Sequence, residues 1–143
     1  RMEDVRMRIL IIDGQGGKLG GQLVRMASEQ FPDAELTAVG TNSTATAAMV
    51  KSGAKRAATG ENAVRVACRK ADVIVGPIGI VIADALLGEV TPAMAAAVGQ
   101  ADAVRVLLPV NRCDNLVAGV GSPTVGELIA DAERKIRAVA DRM

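Results

Sequence analysis

The stretch Arg8-Ile-Leu-Ile-Ile-Asp13-Gly-Gln-Gly-Gly-Lys-Leu-Gly-Gly21 decides how this chain is read. An apolar run of strand length ends in a turn with glycines at 14, 16, 17 and 20, and an amphipathic helix opens directly behind it. Glycines let the backbone turn sharply and come close to a phosphate, and the first N–H groups of the helix can then face that anion. The spacing is G14-x-x-G17-x-x-G20 with Gly16 in addition, and Leu19 stands where a strict G-x-G-x-x-G would place its last glycine.

Outward from this turn, apolar runs of four to eight residues alternate with longer helical patterns, the signature of an α/β fold with a mostly parallel sheet. Strands are expected at Arg8 to Ile12, Glu35 to Val39, Lys55 to Ala58, Asp72 to Val75 and Val104 to Leu108, with a sixth, at an edge, at Leu116 to Val120. Helices are expected from about Lys18 to Gln30, Ser43 to Lys51, Glu61 to Arg69, Ile80 to Leu87, Thr91 to Val98 and Thr124 to Arg142. Thr41, Asn42 or Ser43 and Thr91 suit helix caps, Pro92 suits a first helical position, and Thr124 with Glu127 has capping-box spacing. The expected architecture is a three-layer Rossmann-like domain over 7–143, with five or six strands and a charged extension at 1–6.

Composition narrows the function classes. The 143 residues are 50% hydrophobic and 23% charged, with a net charge of +1. A nearly neutral chain has no overall field for nucleic acid, and its single aromatic, Phe31, offers no base-stacking platform. The longest apolar stretch, Val73 to Ala83, is broken by Gly76, Pro77 and Gly79 and is shorter than the ~20 residues that a membrane span needs. No membrane partner is expected, and the charged start of the chain points to the cytoplasm. With no His, Tyr or Trp and two widely spaced cysteines, the usual zinc sites, a Ser-His-Asp triad and a Tyr-x-x-x-Lys site are all excluded. No metal is expected.

Ligands of open α/β sheets bind outside the carboxyl ends of the strands, near the point where strand order reverses. The candidates for holding a cofactor are therefore Gly14, Gln15, Gly16, Gly17, Lys18 and Leu19 after the first strand, Gly40, Thr41 and Asn42 after the second, and Gly76, Pro77 and Ile78 after the fourth. Glu61 and Asn62 after the third, and Asn111, Arg112 and Cys113 after the fifth, are candidates for a substrate. The suspected cofactor is NAD(P). An acid is expected after the second strand to hold an adenosine ribose, but Thr41, Asn42 and Ser43 stand there, neutral groups able to accept a 2′-phosphate with help from Lys18 or Lys51. Helix capping is their ordinary alternative role.

The run IDGQGGKLGGQLV resembles the dinucleotide turn of the dihydrodipicolinate reductase family, whose GxGGxMG segment matches Gly14, Gly16, Gly17 and Gly20. This resemblance covers the first forty residues and implies a dinucleotide at the turn, without that family's catalytic function. Taken whole, the chain resembles a family of short bacterial proteins known as a domain of unknown function. The strings IDGQGG, GTNSTATAAM, ATGENA, GPIGIVIADALLGEVTP and PVNRC carry that likeness, which implies no particular activity.

Several chemistries stay open. Arg112 can present a bidentate donor set to a carboxylate or phosphate, and Cys113 is either a reactive thiol or a half-buried structural one. Cys68 reads as core. Glu61 is the candidate general base, with capping as its competitor. Asp84 and Glu89 flank an apolar run, where an acid is turned to solvent, paired at an interface or functional, with solvent the first expectation. That run, with Met94 and the alanines behind it, suggests a homo-oligomer. The sequence thus expects a binder of a nucleotide or other phosphate-bearing small molecule, with a small oligomeric reductase or a non-catalytic assembly or regulatory subunit as alternatives.

Overall fold

The computed structural model describes residues 6–110 and 114–143. Its elements follow in the order β1 (Arg8–Asp13), α1 (Lys18–Gln30), β2 (Glu35–Gly40), α2 (Ser43–Lys51), β3 (Arg56–Thr59), α3 (Glu61–Cys68), β4 (Val73–Pro77), α4 (Pro92–Gln100), β5 (Val104–Leu108) and α5 (Val125–Asp141). A short 3-10 helix, Ile78–Val81, follows β4. The five strands form one sheet in the order β3-β2-β1-β4-β5, and every neighbouring pair is parallel.

This order follows from where the apolar side chains fall. Residues alternate across a strand, so Ile9 and Ile11 of β1 face one side and Leu10 and Ile12 the other. All four are buried, as expected for a central strand covered on both faces. Ile9 and Ile11 share a core with Leu23, Val24 and Ala27 of α1, Met49 of α2 and Ile136 and Val139 of α5. Leu10 and Ile12 share a second core with Val64 and Cys68 of α3, Met94 and Val98 of α4, and Ile80, Leu86 and Val90 between β4 and α4. Each large side chain fully buried in this way contributes roughly 1.5–3 kcal/mol.

The helix ends match their sequence signals. The Asn42 carboxamide oxygen accepts from the Ala45 N–H at 2.8 Å, and Thr91 Oγ1 accepts from the Met94 N–H at 3.1 Å, with Pro92 opening the helix. Thr124 and Glu127 form a complete capping box, each accepting from the other's backbone N–H. Glycine 17 occupies the cap position of α1 in the left-handed region, with no side chain to contribute.

Two expected elements do not form. Leu116 to Val120 is a loop with Leu116 95% exposed and Gly119 at φ 83°, a conformation that breaks an extended strand. Apolar alternation over so few residues did not provide a neighbouring strand to pair with. Ile80 to Leu87 is not an α-helix. After the 3-10 helix the chain runs in turns, with Asp84, Leu86 and Leu87 at φ between 57° and 67° and Gly88 at 89°. Left-handed residues interrupt the helical hydrogen-bond ladder, and tertiary packing of Leu86 and Val90 prevails over the helical composition of this segment.

Candidate functional site

The β3-β2-β1 and β4-β5 halves of the sheet diverge from the β1/β4 boundary, so the crevice beyond these two strands is its topological switch point. A cavity of about 300 Å3 lies there, lined by Asp13, all of residues 14–19, Gln22, Pro77, Leu86, Val110 and Val125. It is built from the end of β1, the glycine turn, the first turn of α1, the end of β4 and the start of α5.

The four glycines of the turn differ in why they are glycine. A Cβ on Gly14 would lie 2.5 Å from Thr41 Oγ1 and 2.9 Å from Glu89 Oε1. On Gly17, at φ 75°, it would meet the Ala45 Cα at 2.7 Å, and on Gly20 it would meet the side chains of Asp13 and Met49, each at 2.7 Å. These three positions are closed by the protein's own packing. At Gly16 a Cβ would meet nothing within 4 Å, and the backbone there is not left-handed. Neither packing nor conformation requires glycine at this position, and the residue lines the cavity.

The backbone donors divide in the same way. The Gly17 N–H donates to the Gly14 carbonyl, and the Gly20 N–H donates to Asp13 Oδ2 at 2.6 Å. The first intrahelical bond runs from the Gly21 N–H to the Gly17 carbonyl. Helix starts leave their first N–H groups without intrahelical acceptors, and those of Lys18 and Leu19 have no acceptor among the described residues. The arrangement can take a negatively charged or oxygen-rich group.

Two carboxylates set the local charge. Asp13, only 6% exposed, is pushed above the ordinary carboxylate range by burial, against the opposing hydrogen bonds from the Gly20 and Gly14 backbone and with a smaller upward contribution from Glu89. Glu89 comes from the β4–α4 connection. Its Oε1 accepts from the Gln15 N–H at 2.8 Å, Thr41 Oγ1 at 2.7 Å and Asn42 Nδ2 at 2.7 Å. Burial raises this carboxyl, but the three hydrogen bonds together outweigh burial and hold it below its ordinary value. The same Asn42 Nδ2 also donates to the Gln15 carbonyl at 3.0 Å. One side-chain cluster thereby ties the glycine turn, the end of β2 and the start of α2 together.

Of the sequence candidates, Gly14 to Leu19 and Pro77 line the cavity. Thr41 and Asn42 reach the turn through Glu89, and Gly40 packs against Thr46 beneath them. Gly76 lies against the Ile12 carbonyl, and Ile78 begins the 3-10 helix behind the cavity. Glu61 stands elsewhere, accepting from Thr91 Oγ1 at 2.6 Å, with Asn62 exposed beside it at the start of α3. Lys51 is in the last turn of α2, at the far end of the helix from Asn42, so of the two lysines only Lys18 is at the cavity. Asn111, Arg112 and Cys113 lie outside the described residues. Cys68 is a buried core thiol, pushed up to about 11 by desolvation.

Sequence reasoning assigns Asp13 no role and places Glu89 first in solvent. A signal for Asp13 was present, since a charged residue closing a wholly apolar strand before glycine needs a partner. Glu89 was expected in solvent, and half-buried contact with the turn corrects that expectation. Asp84 is exposed as expected. The apolar run around it is largely absorbed by the chain's own core, with Leu87 exposed.

In comparison with known proteins, residues 8–141 match the family described as a domain of unknown function, DUF3842. No match is found among curated proteins or among solved structures. No helix among the described residues is long and apolar enough to cross a membrane.

Proposed function

The chain belongs to the DUF3842 family, and we propose that it binds a phosphate-bearing nucleotide, of the NAD(P) class, in the cavity at the switch point. The observation that carries this reading is Gly16. It lines the cavity, is open where a side chain would be, and is the one glycine of the turn that the protein's own packing leaves unexplained. A backbone kept bare beside helix N–H groups is what a closely approaching pyrophosphate needs.

The surrounding chemistry fits such a group. The Lys18 and Leu19 N–H groups are available to phosphate oxygens, and the Lys18 ammonium adds positive charge at the rim. Leu86, Val110 and Val125 supply the apolar wall that ligand cavities combine with a few polar groups. At about 300 Å3 the cavity takes the phosphate-bearing middle of a dinucleotide, while its two ends extend along the sheet edge.

The test uses Gly16→Val with Gly17→Val as its contrast. Wild type is titrated with NAD+ and NADP+ by calorimetry, and any nucleotide retained through purification is read at 260 nm, where a chain without Trp or Tyr absorbs little. Binding by wild type, weakened at least tenfold in Gly16→Val with an unchanged melting temperature, supports the reading. Absence of binding to both dinucleotides, or equal binding by the Gly16 variant, overturns it.

A further inference from the structure

We infer that Glu89, beside the cavity at the end of β2, is the carboxylate that reads the ligand's ribose hydroxyls, so that the site selects a dinucleotide with a free 2′-hydroxyl over one with a 2′-phosphate. The inference rests on the nucleotide reading above and specifies its ligand.

A dinucleotide turn ordinarily works with an acid at the tip of the second strand, which accepts from the adenosine ribose. Here the tip of β2 reads Gly40-Thr41-Asn42 and offers none. Glu89, far along the chain, delivers a carboxylate to that same place. Its Oε1 sits 2.7 Å from Thr41 Oγ1 and from Asn42 Nδ2 and 2.8 Å from the Gln15 N–H, between the end of β2 and the glycine turn. A Cβ on Gly14 would fall 2.9 Å from this oxygen, so the backbone comes as close to the carboxylate as it can.

The donors are unevenly shared. All three converge on Oε1, and Oε2 has no hydrogen-bond donor among the described residues. A carboxylate oxygen has two acceptor sites, and a vicinal diol supplies two O–H donors. Glu89 as a residue is only half-buried. Three hydrogen bonds to one side chain also fix its position before any ligand arrives, which lowers the ordering cost of recognition.

Charge then sets the preference. The hydrogen bonds hold Glu89 in its anionic form, and no described cation forms an ion pair with it. A 2′-phosphate would place a second anion against it, a like-charge contact that specificity commonly exploits. The neutral residues Thr41 and Asn42 are already engaged with Glu89 and are not free to receive a phosphate. The preference that the sequence left open between the two cofactors is resolved toward the unphosphorylated one.

The experiment is a set of calorimetric titrations of wild type and Glu89→Gln with NAD+ and NADP+, together with 2′-deoxy-NAD+ on wild type. Glutamine keeps an acceptor for the three donors and removes the charge. Wild type is expected to bind NAD+ at least tenfold more tightly than NADP+ and to lose about tenfold on removal of the 2′-hydroxyl. In Glu89→Gln the ratio is expected to narrow to within about threefold, whereas a purely structural Glu89 would weaken both ligands alike. Equal affinity of wild type for NAD+ and NADP+, or an unmoved ratio in the variant, overturns the role of Glu89 and leaves the nucleotide reading standing. Failure of wild type to bind either dinucleotide overturns both. Should the variant not fold, the 2′-deoxy and 2′-phosphate titrations on wild type decide the question alone.

Discussion

Two connections on the same edge of the sheet do the same job with different balances of glycine and side-chain residues. Residues 14–17 carry the chain from β1 into α1, and residues 78–91 carry it from β4 into α4. The first is short and depends on glycines packed against α2 and the end of β2. The second is long, begins as a 3-10 helix, and reaches left-handed backbone at Asp84, Leu86 and Leu87, residues that carry side chains. They meet where Glu89 of the second holds Gln15 of the first. The tight turn gains most of its shape from missing side chains and places only Gln15, at φ 50°, in left-handed backbone, whereas the long one places three side-chain residues there.

The sharpest break in this comparison is Gly17→Val. A side chain there meets the Ala45 backbone and must also adopt φ 75°, so a loss of about 3 kcal/mol or more in urea unfolding is expected. Gly16→Val, one residue away in open space, is expected to change stability by less than about 1 kcal/mol. Similar losses at both sites would remove the distinction between packed and open glycines.

In the long connection, Leu86 is buried against the turn and walls the cavity. Leu86→Ala is expected to cost about 2–4 kcal/mol in the same unfolding measurement. Leu87 is the reverse case, 97% exposed with φ 57°. Replacing it with glycine relieves left-handed strain without removing core, and a gain of about 1 kcal/mol is expected. A loss on Leu87→Gly would mean that the strain is not stored at this residue.

The smallest expected effects come from the two carboxylates, which carry opposite signs. Asp13 has a raised folded pKa, so its contribution is favourable in acid and is lost as pH rises through that raised value. Asp13→Asn stays neutral and should melt higher than wild type once pH rises above the ordinary aspartate range. Glu89 has a lowered folded pKa, so its contribution is present above the ordinary glutamate range and is lost as pH falls through the folded value. Glu89→Gln should melt below wild type at pH 7 and approach it as pH falls below the ordinary glutamate range. Parallel pH trends for the two variants would contradict the assigned environments.

This contrast also explains how much could be read from residues alone. The parallel sheet, α1, α2 and the capping box of α5 followed from local signals, because an apolar stripe, Asn42 and the Thr124–Glu127 pair act within a turn or two of themselves. The glycine side of the cavity was legible for the same reason. The course of 78–91 was not, since Leu86 and Leu87 give no local sign of left-handed backbone and what holds the segment is the packing of Leu86 and Val90 in a core built from distant elements. Glu89 was hidden for a related reason: its three donors come from Gln15, Thr41 and Asn42, at least 47 positions away. Leu116 to Val120 shows the converse, a strand-like pattern without an available edge.

The strand order carries a consequence for how the molecule assembles as it is made. β1, β2 and β3 can pair as soon as they leave the ribosome, but the other edge of β1 waits for β4, and the cavity that Asp13 begins is closed by Val125. Contacts so distant in the chain form late. A ligand held at the cavity would join the first-made strand of this sheet to the last helix packed on it, and would favour the folded domain over its partly folded precursors by mass action.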